Sequence, residues 1–387
     1  MKILFLSQQF PYPPSNGGML RTHHFLSGIT QKHAVELVCF AQSSPDEIPY
    51  PNLQIHTIPP RSFNTWDRGL SLFRKTPNYP LANESQSMAR LLQQVCDASH
   101  PDICHVDTLG MASYIRQLSI PAIVDVMDCI SLNYQRLAAV QSSSFRRGLY
   151  SFEALKVEQF ERSVATEAAA VITCTEADAA RLKEITGKTI LTISNGVCVP
   201  AQRQRRPSAP PIIVFVGFLD YSANRDAITF FGNQVLPQIR RTVPDVVFEI
   251  IGKGQPVEFA DMSNVVYRGY VPDLDSVYER ATIVVAPLRS GSGVKNKVLE
   301  AMAHAVPLVG TAVATEGING IPGRHYMVAQ TAEEFAAGTV KLLSQPDLAQ
   351  QIGAEAQIYV REQFSWPHAI NKLLNLYDDV SGKRSRH

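Results

Sequence analysis

Residues 282–317, TIVVAPLRSGSGVKNKVLEAMAHAVPLVGTAVATEG, read as strand, glycine-rich turn, helix, strand and loop. Ile283 to Leu288 is an unbroken apolar run, the pattern of a parallel strand covered on both faces. Gly291-Ser292-Gly293 follows, where backbone can approach a ligand with no side chain in the way. The helix then opens with Lys295 and Lys297 and carries one acid, Glu300, in its second turn. Open N–H groups at a helix start, the positive end of its dipole and two lysines make an anion site. A carboxylate one turn deeper suits a pair of ribose hydroxyls. The stretch therefore predicts a pocket for a nucleoside diphosphate.

Outward from this unit, strands and helices alternate. Strands are expected at Ile212–Val216, Val246–Ile251, Val265–Tyr267 and Pro307–Gly310, with helices near Arg225–Arg241, Asp273–Arg280, Val294–Ala303 and Ala332–Leu343. Ala354–Asp379 reads as one helix kinked at Ser365-Trp366-Pro367. The N-terminal half alternates too, with strands at Ile3–Leu6, Val35–Phe40, Ile55–Ile58, Ile103–Val106, Ile123–Val126, Ala170–Cys174 and Thr189–Ile193. Helices are expected at Leu20–Thr30 and Glu153–Glu167. Such alternation implies an α/β fold with doubly wound parallel sheets. Between the halves lies PAQRQRRPSAPP (200–211), rich in Pro and Arg and without periodicity, read as a linker. The expected organisation is 1–199, linker 200–211, 212–365 and a terminal helix in 366–387.

The totals exclude several function classes. A chain of 387 residues with 45% hydrophobic content can bury two cores. Residues 1–200 hold 17 basic and 17 acidic residues, and 201–387 hold 19 and 18, so neither half has the positive charge that nucleic-acid binding favours. The six cysteines are scattered without CxxC spacing, which fits a reducing cytoplasm. No apolar run approaches the roughly 20 residues that span a bilayer. MKILFLSQQF at the start reads as a first strand rather than a signal peptide. A cytoplasmic location, or the inner face of a membrane, is expected.

The 282–317 segment resembles the donor-site motif of retaining glycosyltransferases of family 4, whose fold is GT-B: two Rossmann-like domains facing each other across a cleft. KVLEAMA, VPLV and ATEG carry the likeness, with PPSNGGMLRTHHFLSGI (13–29), TEADAARL (175–182), SNGV (194–197) and VFVGFLDYSANRDA (214–227) extending it over most of the chain. The phrase NKVLEAMA is also similar to the subgroup associated with bacterial exopolysaccharide and exosortase systems. The resemblance implies a metal-independent transfer that needs no cofactor. A nucleoside-diphosphate sugar would be co-substrate, and a saccharide or lipid-linked saccharide the acceptor.

The family pattern also assigns residues. Glu300 matches the second of two glutamates, while the first slot holds Ser292. Ala305 stands where a Gly usually ends the helix, which predicts strain in the exit turn. Gly217 is matched, but the Arg usual after it is Phe218. Phosphate charge must then be met by Lys295, Lys297, Arg289 or Arg225, with Lys297 favoured because it lies three residues before Glu300. Gly252 ends a strand at the same sheet edge, and Tyr270 and Val271 take the position that holds the nucleobase in the family.

In the first domain, Gly17-Gly18 resembles the family's flexible loop near the reacting sugar, with Arg21 just inside the next helix. Asp128 ends a strand and reads either as a group that polarises an acceptor hydroxyl or as the cap of the helix SLNYQRLAAV. His105 and Asp107 follow another strand; His105 is taken as acceptor-side, and no spacing there supports a metal. Arg61–Tyr79 mixes aromatics with basic residues and reads as an ordinary amphipathic helix or as a membrane-surface one. Arg146-Arg147 and the 383–387 tail add positive charge. A sugar-nucleotide epimerase and a non-catalytic sugar-nucleotide-binding protein remain as alternatives. Oligomeric state is not legible.

Overall fold

The computed structural model describes residues 1–14, 16–42, 48–60, 74, 76–139, 141, 143–200, 207–259, 261–291 and 294–382. Ser292, Gly293, most of the Arg61–Tyr79 stretch, 201–206 of the linker and the 383–387 tail lie outside these. The chain divides into two compact units, Met1–Ser194 with Ala369–His387, and Asn195–His368.

The first unit is built on a seven-stranded sheet in the order β3-β2-β1-β4-β5-β6-β7. The strands are β1 Lys2–Ser7, β2 Ala34–Phe40, β3 Leu53–Ile58, β4 Ile103–Asp107, β5 Ala122–Met127, β6 Ala170–Thr173 and β7 Leu191–Thr192. Each pairs in parallel with its neighbours. Ile3 to Leu6 are wholly buried, as a strand covered on both faces requires. The order reverses between β1 and β4, and open parallel sheets leave a crevice at the carboxyl ends of such a pair. The Trp366–Val380 helix packs into this unit: a Cβ on Gly28 would fall 2.6 Å from Ile370, so only glycine admits the contact.

The second unit has a six-stranded parallel sheet, β10-β9-β8-β11-β12-β13. Its strands are β8 Ile212–Val216, β9 Val247–Ile251, β10 Val265–Gly269, β11 Ile283–Ala286, β12 Leu308–Gly310 and β13 Met327–Val328. Here the reversal lies between β8 and β11. Within β9, buried Glu249 is held by Arg268 at 2.8 Å and Arg280 at 2.6 Å. A charge placed in a sheet interior must be paired in this way.

Several expected elements differ. The helix expected to run from 225 to 241 is an α segment Ser222–Phe230, a π turn Phe231–Val235 and a second α segment Leu236–Thr242. Gly232 sits in the π turn with the Phe259 ring where its Cβ would be, at 2.6 Å. The expected kinked helix at 354–379 is two helices, Pro346–Gln363 and Trp366–Val380. At the break Val197 donates to the Phe364 carbonyl at 2.7 Å and bridges Ser365, and Pro367 disfavours helical backbone just before it. Helices Gln86–Ser99 and Glu176–Thr186 were not anticipated as elements. Among the described residues, no helix is long and apolar enough to cross a membrane.

Ala305 adopts φ 54°, as its place in the exit turn after the Asn296–Ala303 helix predicts. A Cβ in the left-handed region costs about 1 kcal/mol. Ala305→Gly should therefore stabilise the fold by about 0.5–1 kcal/mol and raise Tm by about 2–4 °C in a thermal melt.

Candidate functional site

In the second unit, Gly217 and Lys297, the latter in the first turn of the Asn296–Ala303 helix, come together at the carboxyl ends of β8 and β11. The Asn296–Ala303 helix starts here with Lys295 as its N-cap residue, and no side chain caps its first turn. The first N–H groups of a helix have no partner within it, so this end offers donors to a ligand. Gly291 leads in with φ 127°, a conformation that excludes other residues. Asn296 Oδ1 is buried and has no hydrogen-bond partner among the described residues.

Lys297 is the centre of the site. Its Nζ donates to Asn224 Oδ1 at 2.7 Å and lies 4.3 Å from the centroid of the Phe215 ring. Asn224 is itself fixed, donating through Nδ2 to the Phe218 carbonyl at 2.7 Å. A Cβ on Gly217 would come within 2.8 Å of both Lys297 Nζ and Asn224 Nδ2. A Cβ on Gly252 would stand 1.7 Å from the Gly217 carbonyl oxygen. Both glycines are therefore space requirements of the lysine's seat. Burial lowers the Lys297 ammonium to about 7, against an upward pull from Glu300 and a further downward push from Lys295.

Glu300 accepts from the Tyr278 hydroxyl at 3.0 Å. Burial raises its pKa, opposed by that hydrogen bond and by His304 and Lys297. His304 is set between the Glu300 carbonyl at 2.7 Å and Asp275 Oδ1 at 2.8 Å, and its ring lies 4.7 Å from that of Tyr278. Tyr278 thus holds one oxygen of the Glu300 carboxylate, and His304 its backbone carbonyl.

The first unit has a separate pocket of about 240 Å³ at the carboxyl ends of β1 and β4. Gln8, Gly18, Tyr79, Asp107, Thr108 and Met127 are among the residues that line it. Asp107 Oδ2 accepts from Ser7 at 2.8 Å and Thr22 at 2.9 Å. Burial pushes its carboxyl up to about 7, with Asp125 adding to the rise and Ser7, Thr22 and Arg21 opposing it. Thr108 and Met127 both have positive φ, 75° and 60°. Non-glycine residues in that region are held only where the surroundings over-determine them, and they cluster at functional sites.

A family model described as Glycosyl transferase 4-like domain matches residues 17–196, and one described as Glycosyl transferases group 1 matches 210–345. The chain belongs to the GT-B glycosyltransferases. A sucrose-phosphate synthase from Thermosynechococcus elongatus has the same fold with TM-score 0.74 at 15% identity, covering 99% of this chain and all of that one. HepE from Anabaena, solved with UDP and glucose, gives 0.67 at 13% identity over 98% of this chain and all of its own. An uncharacterized 44.6 kDa protein in cps region of Klebsiella pneumoniae is 23% identical over 163 residues. That match spans 39% of this chain and 42% of the relative, less than half its length.

Within this glycosyltransferase, several expected site residues are committed elsewhere. Arg289 makes a two-pronged ion pair with Asp226, 2.9 Å at one contact, and stacks 5.0 Å over Phe230. Arg225 donates to the Gln255 carbonyl at 3.0 Å. Asn224, one residue earlier, is what reaches the lysine, and no local pattern separates the two. Tyr270 is exposed and Val271 half-buried just after edge strand β10. Gly17 and Gly18 form the first turn of the Gly17–Ile29 helix rather than a loop, because Asn16 caps it by accepting from Met19 N at 2.9 Å. Arg21 does not face an acceptor: it is 1% exposed, paired with Asp125 at 2.7 Å and stacked over Phe25. His105 is a core residue, fully buried, stacked on Phe5 and 2.8 Å from the Tyr377 hydroxyl. Asp128 follows β5 but does not line the pocket; the carboxylate there is Asp107. The amides that open the Ile130–Ala139 helix are met instead by Asp178, through Cys129 N, and Glu161, through Ser131 N.

The Lys297 seat has a measurable stability signature. Between pH 7 and 10.5 the unfolded chain holds a proton that the folded chain has lost, so stability rises with pH; below pH 7 the buried ammonium weighs fully against folding. Lys297→Met should raise Tm at pH 6 by a few degrees, on the order of 1–3 kcal/mol, and the gain should shrink toward pH 10. Melts of both proteins across that range check the sign.

Proposed function

We propose that this glycosyltransferase moves a sugar from a nucleoside-diphosphate sugar to a hydroxyl of a saccharide acceptor, with retention of anomeric configuration and without a metal. The bond from the anomeric carbon to the diphosphate breaks, and a bond to the acceptor oxygen forms on the same face. The acceptor proton passes to the departing diphosphate oxygen. The observation that carries this reading is the Lys297 ammonium, seated at the open start of a helix with no ion-pair partner among the described residues. A charge so placed gains most when a dianionic leaving group develops beside it. Glu300, fixed by Tyr278, suits the ribose hydroxyls, and the exposed Tyr270 the base. The pocket around Asp107 and Gly18 suits the acceptor. A role in exopolysaccharide assembly accords with the similarity to a protein in a cps region.

A thermal-shift screen against UDP-, GDP- and ADP-sugars, followed by nucleotide release with the best donor, tests the activity. Turnover should survive EDTA, and the anomeric signal of the product, read by NMR, should match that of the donor. Lys297→Ala should lower turnover about 10²-fold or more without lowering Tm. Glu300→Ala should weaken donor binding about tenfold. Normal kinetics in both variants would remove the assignment.

Diphosphate binding should also take up a proton. An anion beside Lys297 raises its pKa from about 7, so affinity for the nucleoside diphosphate should fall as pH rises above 7, by up to about tenfold per unit. Calorimetry in two buffers of different ionisation enthalpy reads the uptake directly. Lys297→Met should abolish it.

A further inference from the structure

The Ser144–Glu167 helix carries an apolar face that nothing in the described first unit covers. Phe145 is 80% exposed, Leu149 39%, Phe152 45% and Leu155 59%. Their spacing places them on one side of the helix, away from Ala154, Val157, Glu161 and Val164, with the buried Lys156 set beneath the Phe152 ring at 5.7 Å. Residues 143–149 are exposed without a break, so the first turns of this helix stand clear of the body. Leu137, on the Ile130–Ala139 helix, adds a further exposed side chain. Between the two helices is an open hollow of about 420 Å³, lined by Ala138, Ala139, Ala154 and Leu155 with Arg147 at its edge.

The exposed charge beside Phe145, Leu149 and Phe152 has one sign, since Glu153, the next acid along, is buried against Lys156. From Cys129 to Phe152 the chain holds Arg136, Arg146 and Arg147 and no acidic residue. All three arginines are exposed. The whole chain is nearly neutral, so the local excess is a property of this surface.

We propose that this face docks on an anionic lipid bilayer, with Phe145, Leu149, Phe152 and Leu155 in the headgroup–acyl boundary and the arginines on lipid phosphates. An apolar stripe flanked by arginines matches what holds a helix flat in that interface. Neither half suffices alone: few apolar side chains bind weakly, and a few arginines are screened by salt. A second copy of the chain fits less well. A two-fold contact through this face pairs two surfaces that carry arginines and, from Cys129 to Phe152, no acid to meet them.

The full chain is sedimented with extruded vesicles of phosphatidylcholine alone and of phosphatidylcholine with roughly 30% phosphatidylglycerol. Binding should favour the anionic vesicles about tenfold and fall about tenfold in ~0.5 M NaCl. Two variants, Phe145→Ser with Leu149→Ser, and Arg146→Glu with Arg147→Glu, should each lower binding about tenfold with unchanged Tm and nucleotide binding. Absence of binding to anionic vesicles overturns the proposal. So does binding that both folded variants retain, because another surface would then be responsible. A wild-type dimer in light scattering that Phe145→Ser with Leu149→Ser converts to monomer, with no lipid binding, assigns the face to a second copy instead.

Discussion

A single ammonium group organises the second unit. Lys297 Nζ sits 2.7 Å from Asn224 and over the Phe215 ring, where burial opposes its charge. Neither contact neutralises it, since an amide oxygen and an aromatic face supply partial charge only. The position is therefore costly to the empty protein and favourable once an anion arrives. Glycine at 217 follows from it, because a methyl there would meet both partners at 2.8 Å. Glycine at 252 follows in turn, since its Cβ would strike the Gly217 carbonyl.

Strand order explains why this arrangement sits where it does. In a doubly wound sheet the connections leave in opposite directions from the two strands at the reversal, and no helix covers the gap between their carboxyl ends. The second unit reverses between β8 and β11, which deliver Gly217 and the 287–291 turn to the same gap. The first unit reverses between β1 and β4, and its pocket lies there, with Ser7 from one strand and Asp107 from the other. Thr108 and Met127 carry strained backbone at that rim. The two units share one topological rule and differ in the charge they place at the gap: ammonium in one, carboxyl in the other.

How much of this was legible depended on range along the chain. Apolar runs such as 212–216 and 283–286 declare a buried parallel strand by themselves, and both stand where the pattern puts them. Lys297 and Glu300 were legible because helix spacing fixes their relation. Ala305 was legible because a helix exit needs a left-handed residue whatever occupies it. What failed was set by distant partners. Arg21 looked available until Asp125, 104 residues away, was found against it. His105 looked like a ligand at a strand end until Tyr377 closed over it from the last helix. Asp107 reads from sequence alone only as a candidate metal ligand, since its neighbours Ser7 and Thr22 are remote along the chain. The interruption of the 354–379 stretch was legible from Ser365-Trp366-Pro367, but its pairing partner Val197 is remote in sequence, and with it the stretch is two helices rather than one kinked helix.

The departures from the family pattern bear on how this site handles charge. Phe218 replaces a residue that is commonly Arg, and its side chain is more than half exposed, so it fills no cation's place. Its carbonyl nevertheless anchors Asn224, and so the turn still contributes through the backbone. Of the other cations, Arg289 is tied to Asp226 and Arg225 to the Gln255 carbonyl. Moving either to a phosphate means breaking an existing contact, and the gain is reduced by that amount. Lys297 needs no such exchange: the Asn224 amide accepts one of its three N–H donors and leaves the others for an incoming oxygen. With Lys295 beside it at the helix N-cap, the proposed diphosphate would place its charge on two lysines and the helix end. A site with fewer cations leans harder on each, which is why so much of the local backbone is spent on seating one side chain.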